Sequence, residues 1–575
     1  MEQDPVPKKR PLFDLFFNYL EKRSPSDRFI IYTLAVVFIG ALAVSLISLN
    51  DRYATTIPAR GGVLTEGIIG TPRFVNPALA MTRVDNDLTA LLYSGLMRID
   101  TNGTLVPDLA QSVTVSEDGL VYNVVLRDDI TFHDNTKINA EDVAYTIALI
   151  QNPDVKSPIR GNWSGVSVEV LNERELNLVL QDPYTPFLEN LTLGIMPKHI
   201  WNALSIEELP FSQHNAEPIG SGPYRLEEVT RSKTGLISGY VLTPWEDGRA
   251  SARIKEIHVS FFVNEDELIT AYTTEKIMSS ASFSYETLAA FGDDTKIVSE
   301  PLPRVFSVFF NQNKSAVLRD TGAREALSAA IDRDELVDEV LLGYGEPVYS
   351  PLPAGTSPAT STPLRENGAE AIAAARAILL ESGWNELEGG GWSKEIDGSD
   401  TVLAITIATA NNGIFEDTAY YLDRVWSELG VEVSIELYEQ TDLVQSVIRP
   451  RDYQALLYGM EIGRALDLYP FWHSSQREDP GLNVALYANI TTDALLTKAR
   501  TTQDPTERIE SIRTFEEEIL SETPAVFLFS PSFVYVMRPH ITTADIDRIA
   551  RPHERFSNIR DWYMREESVW NIFTY

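Results

Sequence analysis

The sequence predicts a mixed α/β body of two or more structural units carried behind one transmembrane helix. Three observations predict it. Phe29–Leu49 holds no charged residue, and as a helix it is long enough to cross a hydrocarbon core roughly 30 Å thick. Val113–Leu126 and Val166–Leu180 read as short paired strands and a hairpin. Val402–Leu437 reads as strand, helix, strand, the pattern of a parallel pair joined by a crossover.

The apolar run is flanked by Arg28 on one side and Asp51-Arg52 on the other, with Lys8, Lys9, Arg10, Lys22 and Arg23 further upstream. A basic flank tends to stay in the cytoplasm, so residues 1–28 are expected inside and the body outside. The run exceeds the 7–15 apolar residues of a signal peptide and is followed by no clear cleavage site, so an uncleaved, single-pass anchor in the cell membrane is expected. Residues 50–60 read as a linker, with Pro58 and the Gly61-Gly62 break near its end.

The body follows in order. Val63–Ile69 is a strand, and Thr71-Pro72-Arg73-Phe74-Val75-Asn76-Pro77 is a loop kept extended by prolines. Leu88, Leu91 and Leu92 give Asp87–Tyr93 a helical face, stopped by Gly95. Val113–Val115 and Val121–Leu126 pair about the Ser116–Gly119 turn. Asn139 caps a helix over 140–150, with Glu141 and Asp142 in its first turn. Val166–Val170 and Leu176–Leu180 alternate around Asn172-Glu173-Arg174 as a hairpin. Gly220-Ser221-Gly222-Pro223 is a structural turn, since no helix follows to make it a phosphate site. Val305–Phe310 is a strand ending in Asn311, and two helices fill Thr321–Leu342. Helices over 369–380 and 416–429 end at Gly383 and Gly430. Ser357–Thr362 is a short low-complexity tract, and Ala525–Val536 is a late apolar strand.

Composition limits function. The roughly 515 residues beyond the anchor are too many for one core. A formal charge of −35, from 83 acidic and 48 basic residues, disfavours nucleic acid as a partner. With no cysteine there is no disulfide, no thiolate site and no lipidated cysteine, which leaves the helix to hold the chain. The seven histidines contain no pair at helical spacing, and no nucleophile elbow or phosphate loop is present. His133-Asp134 reads as a surface turn. No catalytic residue, metal or cofactor is expected, so the chain is not read as an enzyme.

From Gly61 to about Tyr535 the sequence resembles the extracytoplasmic solute-binding proteins of ABC importers, specifically the large peptide-binding family. The residues that carry the resemblance are Leu92–Leu96, Leu105–Ala110, Leu126–Asp134, Ala140–Val143, Gly220–Tyr224, Phe310-Asn311, Arg324–Leu327 with Ala330–Arg333, and Gly343–Gly345. The resemblance implies a periplasmic-binding-protein-like, two-lobed clamp with an extra subdomain. The expected order is lobe I at 61–302 with the subdomain at about 95–212, lobe II at 303–520, and a return to lobe I over 521–575. It also implies a peptide ligand, ABC permease subunits as partners, and a monomer.

A peptide presents the same N–H and C=O groups whatever its sequence, so backbone grip with roomy side-chain pockets is expected. The stretch Leu457–Trp472 is expected to line the cleft. Gly459 allows close approach, Tyr458 and Trp472 offer flat contact, and Glu461 and Asp467 offer charge to an ammonium. Met460 is counted with them, as are Asn311, Thr71, Arg73 and Tyr93 from the resembling stretches and the Thr71–Pro77 loop. Arg464 falls where the family's pattern places the carboxylate that holds a peptide's α-amine. Either Glu461 or Asp467 has taken that role, or the ligand is not held by a free N-terminus. A sensor or surface interaction protein without a transporter, a receptor for sugar or metal chelate, and a hydrolase on the same scaffold remain open alternatives.

Overall fold

The computed structural model describes residue 19 and residues 22–292, 294–356, 368–543, 546 and 549–570, without the side chains of 49–51. Lys8, Lys9, Arg10 and the Ser357–Thr362 tract lie outside these residues. The chain divides into two compact units, Met1–Ala59 with Arg565–Tyr575, and Arg60–Met564.

In the first unit a helix, α1 (Pro25–Tyr53), contains the apolar run. Ser24 accepts the Asp27 N–H at 3.2 Å, and Asp27 and Arg52 match the helix dipole at the two ends. The window Pro25–Ser48 is long and apolar enough to span a bilayer, and none of it is buried. Where a linker is expected, α1 continues to Tyr53 and strand β1 (Ala54–Ala59) follows at once. Its partner is the strand Arg565–Trp570, paired antiparallel from Ala54↔Trp570 to Ala59↔Arg565. No local pattern could announce a partner so distant in sequence.

The second unit is built on β2 (Val63–Ile69), α2 (Arg83–Leu92), β3 (Tyr224–Arg231), β4 (Ile237–Pro244), β5 (Glu256–Phe262), β6 (Ser279–Ser280), β7 (Lys296–Pro301) and β8 (Arg304–Phe310). It continues with β9 (Ala404–Ala410), α3 (Gly413–Leu429), β10 (Glu432–Tyr438), β11 (Ala455–Glu461) and β12 (Ala525–Met537). Among the described residues the main sheet runs β10-β9-β11-β8-β12-β6-β2-β5-β4-β3. β9, α3 and β10 make the expected unit: β9 and β10 are parallel from Ala404↔Glu432 to Ala410↔Tyr438, and Gly430 closes α3 at φ 99°. A separate antiparallel sheet orders Ala110–Val115, Val121–Leu126, Glu175–Val179 and Ser167–Asn172. Beside it lies the helix Ala140–Gln151, with a full capping box between Asn139 and Asp142.

The hydrophobic cores give the clamp its two lobes. Leu64, Leu88, Leu91, Tyr224 and Ile257 share one core with Tyr535, Met537, Phe556 and Trp562. Phe310, Leu327, Trp426 and Phe529 share another, continued by Phe309, Phe515 and Phe527. β12 belongs to both, and all 13 of its residues are buried. Its first half pairs with β8 (Phe309↔Ala525 to Phe306↔Phe529) and its second with β7 (Pro301↔Ser532 to Lys296↔Met537).

The Gly220–Gly222 turn is structural for a visible reason. A Cβ at Gly220 would stand 1.9 Å from the Leu92 carbonyl oxygen, and one at Gly222 would meet the same backbone at 2.4 Å. His133 clamps the turn, accepting the Gly220 N–H on Nδ1 (3.2 Å) and donating from Nε2 to the Gly222 carbonyl (3.2 Å). Asn135 takes the left-handed conformation next to it (φ 69°), and His133, expected in a surface turn, is a packing residue. Burial lowers its pKa to about 4, which keeps the ring neutral and able to accept.

Candidate functional site

β11 leaves part of its edge open between the lobes. Ile462 donates its N–H to the Pro303 carbonyl (3.0 Å) and Asn311 donates to the Gln454 carbonyl (2.8 Å), in the register Arg304↔Glu461 to Phe310↔Ala455. Alternate residues of an antiparallel strand bond to the same neighbour. The even-numbered residues of β11 therefore bond to β8, and the odd-numbered ones direct their backbone groups to the opposite edge. β9 pairs there only with Ala455 and Leu456, and Thr409 donates to the Leu457 carbonyl at 3.0 Å. Among the described residues no strand pairs with Gly459 or Glu461 on that side.

Aromatic rings flank this edge. Tyr458 stacks with Phe415 (6.1 Å between centroids), which lies 5.0 Å from Phe306. A Cβ on Gly459 would approach the Phe306 ring to 3.3 Å, so glycine keeps the strand surface low.

Charge sits at the end of β11. Glu461 accepts from Arg304 at 3.0 Å and from Arg551 at 2.9 Å. Burial opposes its charged form, but Arg304 and Arg551 outweigh that and hold the Glu461 carboxyl below its ordinary value. The Arg304 Nε has no hydrogen-bond partner among the described residues. Arg83, at the start of α2, donates to the Ala281 carbonyl and stays exposed. Two arginines, Arg304 and Arg551, thus bracket one glutamate.

Arg464 is itself engaged, donating to the largely buried Glu554 at 3.0 Å. Both line a cavity of about 250 Å³ with Glu189, Tyr93, Trp163 and His553. Burial raises the Glu189 carboxyl, against the pull of Arg464. Tyr93 is buried with its hydroxyl unpartnered among the described residues, and burial pushes its phenol up.

Asp467 joins the two lobes. It accepts from the Tyr184 hydroxyl at 3.1 Å and lies 3.3 Å from the Arg500 guanidinium, which sits between the rings of Tyr184 and Tyr469. Beside it Thr185 donates to the Thr502 carbonyl at 2.7 Å.

Of the ten residues expected at the site, Tyr458, Gly459 and Glu461 come together on the open edge. Three expectations need correction. Met460 is 3 % exposed because it faces the core with Val305 and Leu456. Trp472 is fully buried between Phe309 and Phe527 (5.9 Å each). Asn311 is 1 % exposed, donating to the Arg451 carbonyl (3.1 Å) and accepting the Asn313 N–H (3.1 Å). Thr71 and Arg73 are exposed on the loop whose backbone N–H groups at Arg73 and Phe74 bond to Asp85 (2.8 and 2.9 Å). Sequence reasoning missed Arg304 and Arg551. Arg304, just after Pro303 at the start of an apolar strand, was the one with a visible signal.

Two lobes that share one buried strand, with part of a neighbouring strand edge left open, make a two-lobed fold of the periplasmic-binding-protein type. The chain belongs to the bacterial extracellular solute-binding proteins of family 5, whose model matches residues 104–479. It is 26 % identical over 520 residues to the oligopeptide-binding protein AppA of Bacillus subtilis, covering 88 % of this chain and 92 % of that protein. The structure of AppA in complex with a nonapeptide superposes with a TM-score of 0.67 at 24 % identity, over 88 % of this chain and all of that one. NikZ of Campylobacter jejuni in complex with Ni(L-His) gives 0.68 at 25 % identity, over 87 % and 99 %. The family is one of peptide-binding ABC solute receptors, and these relatives are solute-binding proteins, not enzymes.

Proposed function

We propose that this chain is a membrane-anchored extracytoplasmic receptor that captures peptides between its lobes and delivers them to an ABC importer. The observation that carries the reading is the unpaired edge at Gly459 and Glu461. An extended peptide laid there completes the sheet, with backbone donors and acceptors meeting their counterparts whatever the side chains. Arg304 and Arg551 outnumber Glu461 at one end, which suits the peptide's carboxylate better than its ammonium. Arg464, already paired with Glu554, leaves no carboxylate free at the family's amine position. Closure of the lobes excludes water from the ligand, and the closed form is the one a permease recognises. The uncharged run Phe29–Leu49, with Lys22, Arg23 and Arg28 before it, supports an anchor whose N-terminal side is cytoplasmic.

The test is native mass spectrometry of the full chain purified in detergent, followed by unfolding to release whatever it carries. A ladder of short co-purified peptides is expected. An empty protein that also gains no thermal stability from a random peptide library overturns the reading.

A further inference from the structure

The cavity beside Arg464 holds one charge that nothing else in it answers. Its volume of about 250 Å³ exceeds that of a cavity that holds a benzene ring and falls short of a pocket for a drug-sized ligand, so it has room for one large side chain. Glu189 reaches it from the turn Thr185–Thr192. Glycine lets that turn close on the end of α2, since a Cβ on Gly95 would stand 2.6 Å from the Thr192 carbonyl oxygen. A Cβ on Gly463, at φ 74°, would stand 3.8 Å from Oε2 of Glu189.

Four arginines line the cavity, and each has a partner. Arg464 donates to Glu554 (3.0 Å), Arg560 to Asp108 (3.3 Å), Arg551 to Glu461 (2.9 Å) and Arg98 to Asn558 (2.8 Å). Burial lowers the pKa of His553, which keeps that ring uncharged. Of the three carboxylates in the lining, Glu554 and Asp108 are taken up by these bonds. Glu189 is the third. Among the described residues no hydrogen bond or ion pair reaches its side chain, and Arg464, Arg551 and Arg508 act on it only through space.

Two hydroxyls share that condition. Tyr93, 4 % exposed, and Thr89 both line the cavity, and neither hydroxyl has a partner among the described residues. Trp163, also buried, adds an apolar ring. A free carboxylate, hydroxyl oxygens able to accept and an aromatic wall match a long side chain that ends in a cation, with the stem against the rings and the head donating. The open edge of β11 leads to this place. Gly459 and Glu461 direct their backbone groups to that edge, and Gly463, two residues further on, is part of the cavity lining.

We propose that the cavity is a subsite for a basic side chain of the bound peptide, a lysine or an arginine, and that Glu189 is the residue that selects it. The proposal rests on the reading that a peptide lies along the open edge of β11. It adds a preference to a grip that has none: the strand edge holds any sequence, and the cavity favours a cation at the one position that falls beside Gly463.

The full-length protein in detergent is titrated with short alanine-based peptides that carry one lysine, or one norleucine with the same stem and no ammonium, at each position in turn. At one position lysine should bind at least tenfold tighter than norleucine. In Glu189→Gln that ratio should fall to about one, with the norleucine peptide bound as tightly as by the natural chain, which also shows that the variant is folded. Equal binding of lysine and norleucine at every position by the natural chain, a comparison that needs no variant, overturns the subsite and leaves the receptor standing. A lysine preference that survives in Glu189→Gln overturns the assignment to Glu189. If no peptide of either kind binds, the peptide-receptor reading fails and the subsite with it.

Discussion

Arg555 grips Asp87 with both arms of its guanidinium, Nη1 to Oδ1 and Nη2 to Oδ2, each at 2.8 Å, across 468 residues of sequence. Nη2 also donates to Glu66 at 3.0 Å, and all three side chains are 1 % exposed. Glu66 accepts further bonds from Tyr535 (2.8 Å) and Ser279. The cluster fastens the C-terminal return to β2 and α2. Arg555→Leu leaves two buried carboxylates without their cation, which costs about 3–5 kcal/mol when one partner of a buried pair is removed. Urea unfolding should show that loss.

The same cluster sets an acid limit. Burial alone would raise the Asp87 carboxyl, but Arg555 more than offsets it and the folded pKa lies below the ordinary value. A carboxyl depressed in the folded state adds stability that is complete above its unfolded pKa of about 4 and is lost as pH falls through the folded one. Asp108, held down by Arg249 and Arg560 against burial, acts in the same window. Melting temperature should drop steeply below about pH 4, and less steeply in Arg555→Leu.

His133 works at a higher pH. Its folded pKa is about 4 against an ordinary 6.5, so between those values the unfolded chain binds a proton that the folded one does not. Its contribution is whole above pH 6.5 and declines as pH falls toward 4. Thermal unfolding of His133→Gln should show a shallower slope across that interval than the natural chain.

Peptide pairing at the open edge has a backbone test. Gly459→Pro removes the N–H that faces away from β8 and leaves the even-numbered ladder bonds intact, a position where proline is tolerated. Calorimetry should find peptide affinity reduced at least tenfold, about 1.4 kcal/mol, with the melting temperature little changed. Unchanged affinity would place the ligand elsewhere.

The arginines at the end of β11 predict a preference for the carboxylate. Amidating a peptide's C-terminus should weaken binding to the natural chain about tenfold and have little effect on Arg304→Gln. An equal loss in both proteins would exclude Arg304 from that contact.

Asp467 should govern how readily the lobes separate. Asp467→Asn keeps a hydrogen bond from Tyr184 but drops the ion pair with Arg500, a change of about 1 kcal/mol for a partly buried pair. Small-angle scattering of the ligand-free protein should report a larger radius of gyration than that of the natural chain.

Much of the fold was legible where local chemistry decides it. Asn139 with Asp142 caps its helix, Gly430 ends α3, and the alternation in Val431–Leu437 gives a strand within one residue of the observed one. The site was legible as a stretch and not as residues. Around Leu456 and Leu457 both faces of β11 are buried, so period-two alternation could not tell whether Met460 or Gly459 would face the core. Trp472 is apolar enough for a cleft or a core, and only the positions of Phe309 and Phe527 decide. β1 and Arg555 were invisible because their partners lie at the other end of the chain.

The strand β12 also sets the order in which the molecule can be finished. The first lobe lacks a central strand until residue 537 exists, and Glu66 and Asp87 wait for a cation that is synthesised after nearly everything else. That core is therefore expected to stay open until those late residues are made, which a chain truncated before residue 525 would test by failing to melt cooperatively. For a member of an extracellular family, such a delay would keep the polypeptide acceptable to an export channel until its final tenth is made.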